Sequence, residues 1–184
     1  ELDRDGNSLR HITLRGFRDV EGISWLDGNR FAVVEERDCS VWLLDMPAGV
    51  TVIDKPAQPL FALPGLNEGL GNLGCEDLAW NPQEQVFYLV KEKSPAMLLR
   101  ISGVSLPAGN QPDDGIVVQE MPGRMQPGLF GRDMSGLHFD RLSGELLVLS
   151  DESRRITGVG PARAQVALAD AFEIGWWRPG RTSP

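Results

Sequence analysis

Basic residues are in the minority in this chain: among 184 residues, 18 Lys and Arg stand against 26 Asp and Glu, a net charge of −8. A phosphate-backbone partner needs a Lys/Arg face, so nucleic acid is excluded as the expected ligand. Long apolar runs are also missing, and none approaches the roughly 20 residues that cross a bilayer as a helix. Histidine is limited to His11 and His138, and cysteine to Cys39 and Cys75. With so few soft ligands no Cys/His zinc grouping is readable. The cysteines occupy different positions of the repeat described below, and two buried free thiols are expected rather than one disulfide. There is no Gly-x-Ser-x-Gly elbow, and Ser135 has no readable His/Asp arrangement around it, so nucleophilic catalysis is not expected. No leader segment is visible. Because the chain opens on Glu1 in the middle of a pattern, its true N-terminus, with any membrane anchor, is expected upstream.

Turn formers, by contrast, are plentiful: Gly 21 and Pro 13, a composition that favours short strands and an all-β fold. A phrase then occurs three times, as Asp19-Val20-Glu21-Gly22-Ile23-Ser24-Trp25, Gly74-Cys75-Glu76-Asp77-Leu78-Ala79-Trp80 and Asp133-Met134-Ser135-Gly136-Leu137-His138-Phe139. Counted from Glu21 to Glu76 to Ser135, the spacings are 55 and 59 residues. Each copy leads to an apolar run that ends in carboxylates: 31–34 before Glu35-Glu36, 86–90 before Glu92, and 146–149 before Asp151-Glu152. A β-propeller blade of four antiparallel strands, with a period of about 40–50 residues, fits this plan. The expectation is an incomplete propeller over residues 1–156: the end of one blade at 1–14, then blades starting near 19, 74 and 133.

The first full blade reads as strands over 20–25, 30–36 and 41–45, with 50–53 and 60–63 competing for the fourth. In the second, strands are expected at 86–90, 97–101 and 116–119. In the third, a turn at 140–144 leads into 145–150. The central apolar runs suit strands covered on both faces. Gly/Pro-rich connections at 64–73 and 122–132 precede the second and third phrases. Residues 157–184 depart from the pattern. Apart from a fourth-strand candidate at 166–168 they read as an atypical tail, either the point where the chain stops inside a propeller or a segment out of register.

Within a blade the inner strand lines the central channel, so Glu21 and Glu76 are expected to face one axis, with Glu36, Glu92 and Glu152 ending the adjacent strands on that side. Like charges about 4 Å apart repel by roughly 1 kcal/mol in water and several-fold more in a poorly solvated channel. Such a cluster protonates, pairs with cations or binds metal. Oxygen ligands alone suit Ca²⁺ better than Zn²⁺. The competing expectation is ion pairing with Arg37, Lys91, Lys93 and Arg154 and no metal. Trp25, Trp80 and Phe139 share one repeat position and are expected between blades. His138 is expected to be a hydrogen-bonded structural residue, and Trp176-Trp177 is a candidate ligand platform.

Five phrases in order carry a family resemblance: 16–23 (Gly16 to Ile23), 72–79 (Asn72 to Ala79), Lys91-Glu92-Lys93-Ser94-Pro95, 133–137 (Asp133 to Leu137) and Leu149-Ser150-Asp151-Glu152-Ser153. Together they resemble the SdiA-regulated (YjiK-like) family of bacteria over residues 1–156, with Asp77 departing from the usual Gly. The resemblance implies a five-bladed β-propeller, distantly related to NHL-repeat propellers, with a calcium site. By position that site falls on Glu21 and Glu76, then Asp19, Asp133, Glu36, Glu92 and Glu152. It also implies a bacterial cell envelope setting, periplasmic or held at the inner membrane through a missing N-terminal anchor. The expected role is a calcium-binding scaffold, or a module for an unknown small molecule or envelope partner. The alternative is a calcium-dependent hydrolase of phosphoesters with Glu76 or Glu92 as general base.

Overall fold

The computed structural model describes residues 1–66, 74–92, 96–106, 115–121 and 133–160, together with the backbone of 166–170. The connections at 67–73 and 122–132, Lys93 and Trp176-Trp177 lie outside the described residues. Three four-stranded antiparallel sheets follow one another along the chain. The first orders β2 (Val20–Asp27), β3 (Arg30–Glu35), β4 (Ser40–Asp45) and β6 (Phe61–Ala62). The second contains β7 (Cys75–Asn81), β8 (Val86–Lys91), β9 (Met97–Ser102) and β10 (Val117–Glu120), and the third β11 (Gly136–Asp140), β12 (Glu145–Ser150), β13 (Arg155–Val159) and β14 (Val166–Asp170). Each is a propeller blade, with the repeated phrase on its innermost strand.

Turn chemistry sets the hairpins. Asn81 Oδ1 accepts the Gln83 and Glu84 N–H groups, and the Asp140 carboxylate accepts those of Leu142 and Ser143. These are Asx turns, in which a short polar side chain stands in for a backbone acceptor. The Asp5-Gly6 reversal near the N-terminus is likewise present, with Leu2 and Ser8 bridged and Gly6 at φ +84°.

Of the two stretches competing for the fourth strand of the first blade, 60–63 supplies it as β6, and 50–53 does not: it leads into β5 (Val52–Asp54), which pairs in parallel with β1 (Thr13–Arg15). The atypical segment does not begin at residue 157. Thr157, Gly158 and Val159 complete β13, and 166–170 supply the expected fourth strand.

Period-2 alternation distributes the core. On β8, Phe87 and Leu89 pack toward the first blade with Val34 and Phe61, whereas Val86, Tyr88 and Val90 pack toward the third with Leu137 and Leu146. All six β8 residues are therefore buried, as a strand covered on both faces requires. A third cluster joins Val33, Trp42 and Leu44 to Leu14, Phe17 and Ile53 of the β1–β5 unit. Each fully buried large side chain contributes about 1.5–3 kcal/mol. β12 differs from the expectation of two covered faces: Leu146 and Val148 are buried, but Leu147 and Leu149 are half-buried.

Candidate functional site

The register aligns the three phrases residue by residue. Gly22 pairs with Val34, Asp77 with Val90 and Gly136 with Leu149, so these three positions are equivalent. The register skips Glu21 in the first blade and Glu76 in the second, placing each at a β-bulge on the opening turn of its inner strand. Bulges re-aim a side chain out of the pleat. Asp19 and Gly74 are equivalent as well: their carbonyls accept the Glu36 N–H at 2.9 Å and the Glu92 N–H at 3.2 Å.

The turns that follow β3 and β12 extend the match. The Cys39 N–H bonds the Glu36 carbonyl and the Arg154 N–H that of Asp151, with Cys39 and Arg154 both at positive φ. Asp151, and not Glu152, is therefore the counterpart of Glu36.

The seven candidate ligands differ in environment. Glu21 is exposed and Glu76 half-buried. Asp19 is exposed and ion-paired with Arg37. Asp133 is buried and committed, because its Oδ1 accepts the Ser150 hydroxyl and, at 3.2 Å, the Glu152 N–H. Glu36 is buried, with Oε1 accepting the Gly74 N–H at 3.4 Å. Glu92 is half-buried and Glu152 exposed. Among the described residues no group of three or more His, Cys, Asp or Glu side chains is disposed to hold a metal ion. The bulged pair Glu21 and Glu76 would bring four carboxylate oxygens at most, against the six to eight Ca²⁺ takes. Water or main-chain carbonyls would have to supply the rest.

Three features escaped the sequence reading. The position that closes the second strand is polar and buried in every blade, as Glu35, Lys91 and Ser150. Glu35 accepts the Arg18 N–H and an ion pair from Lys55. Burial pushes the Lys91 ammonium down, with Glu92 acting against that shift. Secondly, Asp77 fastens blade to blade. Its Oδ2 accepts the Leu137 N–H of the third blade at 2.7 Å and its Oδ1 the Leu78 N–H at 2.8 Å. The only signal was a carboxylate where sister copies carry Gly. Thirdly, Cys39 and Cys75 form a disulfide with Cα atoms 5.2 Å apart. The free-thiol expectation is thereby overturned. Repeat logic compares equivalent positions, and this bond joins inequivalent ones, the β3–β4 turn of one blade and the first residue of the next inner strand.

Trp80 and Phe139 are buried between blades as expected, but Trp25 is 48% exposed. Its ring carries the Arg141 guanidinium at 4.2 Å. His138 is exposed, with no hydrogen bond to its ring from a described residue, which corrects its structural reading. Ser135 Oγ accepts the Asp151 N–H, a turn contact.

A family model described as SdiA-regulated matches residues 1–172, beyond the 156 residues over which the phrases were legible. Among solved structures, a 2S albumin seed protein from Dolichos is similar at 12% identity and a TM-score of 0.50, covering 82% of this chain and 66% of its own. A hemopexin-fold protein, CP4 from cow pea, is similar at 12% identity and 0.49, with 80% and 64% covered. The WD40 β-propeller domain of Doa1 is similar at 14% identity and 0.45, with 84% and 42% covered. The chain thus spans less than two thirds of each of these structures.

Proposed function

This chain belongs to the SdiA-regulated family, and on that premise we propose that it is a non-catalytic β-propeller module of the bacterial cell envelope, its acidic rim taking up calcium. The observation that carries the reading is the equivalence of Glu21 and Glu76, bulged at the same place on inner strands that lie side by side. Glu36 and Glu92, at matching places on the neighbouring strands, add negative charge at the same end of the blades. Calcium, when bound, would neutralise that charge; Glu21 and Glu76 are the residues that would hold it. The Cys39–Cys75 disulfide supports an oxidising compartment such as the periplasm.

Thermal melting of the protein with and without millimolar calcium tests the proposal. A site that binds only the folded state stabilises by about 2.7 kcal/mol at a hundredfold excess over Kd. The melting temperature should rise in calcium, fall back with chelator, and lose that response in Glu21→Gln/Glu76→Gln. An unchanged melting temperature in calcium sinks the reading. No specific observation favours the hydrolase alternative.

A further inference from the structure

A groove between the second and third blades lies at the other end of the strands from the acidic rim. Its volume is about 410 Å³, within the range of about 300–1,000 Å³ typical of small-molecule sites. The Tyr88 and Phe139 rings, stacked with centroids 6.4 Å apart, line it together with Leu146. The β7–β8 and β11–β12 turns contribute Glu84 and Arg141, and β9 contributes Arg100.

This groove gathers hydrogen-bond donors that no described residue uses. Tyr88 is only 8% exposed, yet no described residue hydrogen-bonds to its hydroxyl. The hydroxyl is not among the sealed buried atoms either, of which Trp42 Nε1 is the one without a partner among the described residues. Tyr88 itself lines the groove. Among the described residues Arg100 is engaged only through Nη2, with Glu84 Oε2 at 3.0 Å. Among the described residues Arg141 hydrogen-bonds only through Nη2, to the Trp25 and Leu26 carbonyls at 3.0 and 3.1 Å, and its guanidinium is held over the Trp25 ring. Nε and Nη1 of both guanidiniums remain uncommitted among the described residues. Arg100 and Arg141 are the cationic residues lining the groove beside one lining carboxylate, Glu84, while Asp27 also lies within the electrostatic reach of Arg141. A guanidinium matches a carboxylate with two parallel bonds.

The geometry points to a binding site for a small organic acid, its ring or chain lying on Tyr88 and Phe139 and its carboxylate met by Arg100, Arg141 and the Tyr88 hydroxyl. The site is independent of the calcium reading, since it uses none of the rim carboxylates.

Calorimetric titration of the 184-residue chain with 3-phenylpropanoate tests it, with 3-phenylpropan-1-ol as the uncharged probe and propanoate as the ringless one. The acid should bind about tenfold or more tightly than either truncated probe, one missing contact class being worth roughly 1.4 kcal/mol. Arg100→Gln and Tyr88→Phe should each weaken binding by about three- to tenfold. Arg100 is a partly exposed side chain in a surface ion pair, so its variant reports on binding even where Tyr88→Phe alters the melting curve. Binding of the alcohol as tightly as the acid, indifference of the acid to Arg100→Gln, or no heat up to about 10 mM acid would each overturn the assignment.

Discussion

Asp77 reaches across a blade boundary to Leu137, accepting its backbone N–H at 2.7 Å. The carboxylate does so from a largely buried position, and burial pushes its pKa up to about 6, against the opposing donations from Leu137 and Leu78. A contact that joins two blades therefore also titrates near neutrality.

The sign of the pH dependence follows. The folded-state pKa of Asp77, about 6, lies above its ordinary 3.8, so the folded protein holds this proton more tightly than the unfolded chain. Its contribution is fully present below about pH 4 and is lost as pH rises through 6, amounting to about 3 kcal/mol in all. Asp27 and Asp54, held below the usual carboxylate range by Arg30 and Arg15, work in the opposite sense. The difference between wild type and Asp77→Asn isolates the one group. Urea midpoints measured from pH 4 to 7 should show wild type losing stability relative to the variant; parallel curves would refute it.

Gly22 explains why the same position is small in the first blade. A Cβ there would stand 2.7 Å from Asp77 Cα and 2.3 Å from its Oδ1, a backbone clash that no rotamer relieves. Gly22→Ala should destabilise by about 1–3 kcal/mol. Gly65 has open space around it and serves as the control, so equal denaturation midpoints for Gly22→Ala and Gly65→Ala would contradict the packing argument.

The blade plan was legible because a repeat exposes what each copy shares: the inner-strand phrase, the apolar second strand and the turn between them. The same comparison located the bulged Glu21 and Glu76. It failed where neighbouring structure overrides position. Trp80 is covered by the first blade and Phe139 by the second, whereas Trp25 heads the series and meets Arg141 instead. β13 is not legible in the sequence, because Arg155, Thr157 and Gly158 leave it without an apolar run, although all three pair in the ladder. The groove donors were invisible, because a Tyr or Arg in a strand reads the same whether or not its polar end finds a partner.

Lys55 ties the β1–β5 unit to the first blade. Its ammonium pairs with buried Glu35 and sits 4.2 Å from the Trp42 ring centroid. Removing one partner leaves a buried charge unpaired, which costs about 3–5 kcal/mol, while replacing both by apolar groups is often neutral. Lys55→Met should therefore destabilise more than Lys55→Met/Glu35→Leu. A double variant less stable than Lys55→Met in urea would show that Glu35 acts mainly through its bond from the Arg18 N–H.

The Cys39–Cys75 bond closes a loop with a sequence separation of 36 residues and anchors the β3–β4 turn to the start of β7. Restricting the unfolded chain in this way stabilises by about 3–4 kcal/mol in the loop-entropy account. Both cysteines are fully buried, so reduction requires local opening and should be slow in native buffer. Cys39→Ala/Cys75→Ala should lower the melting temperature by roughly 10 °C for a domain of this size, and reductant added to unfolded wild type should lower its refolded stability to a similar extent. Protein isolated without reductant should show no titratable thiol after denaturation. Two thiols per chain in that assay would remove the disulfide and, with it, the main support for an oxidising compartment.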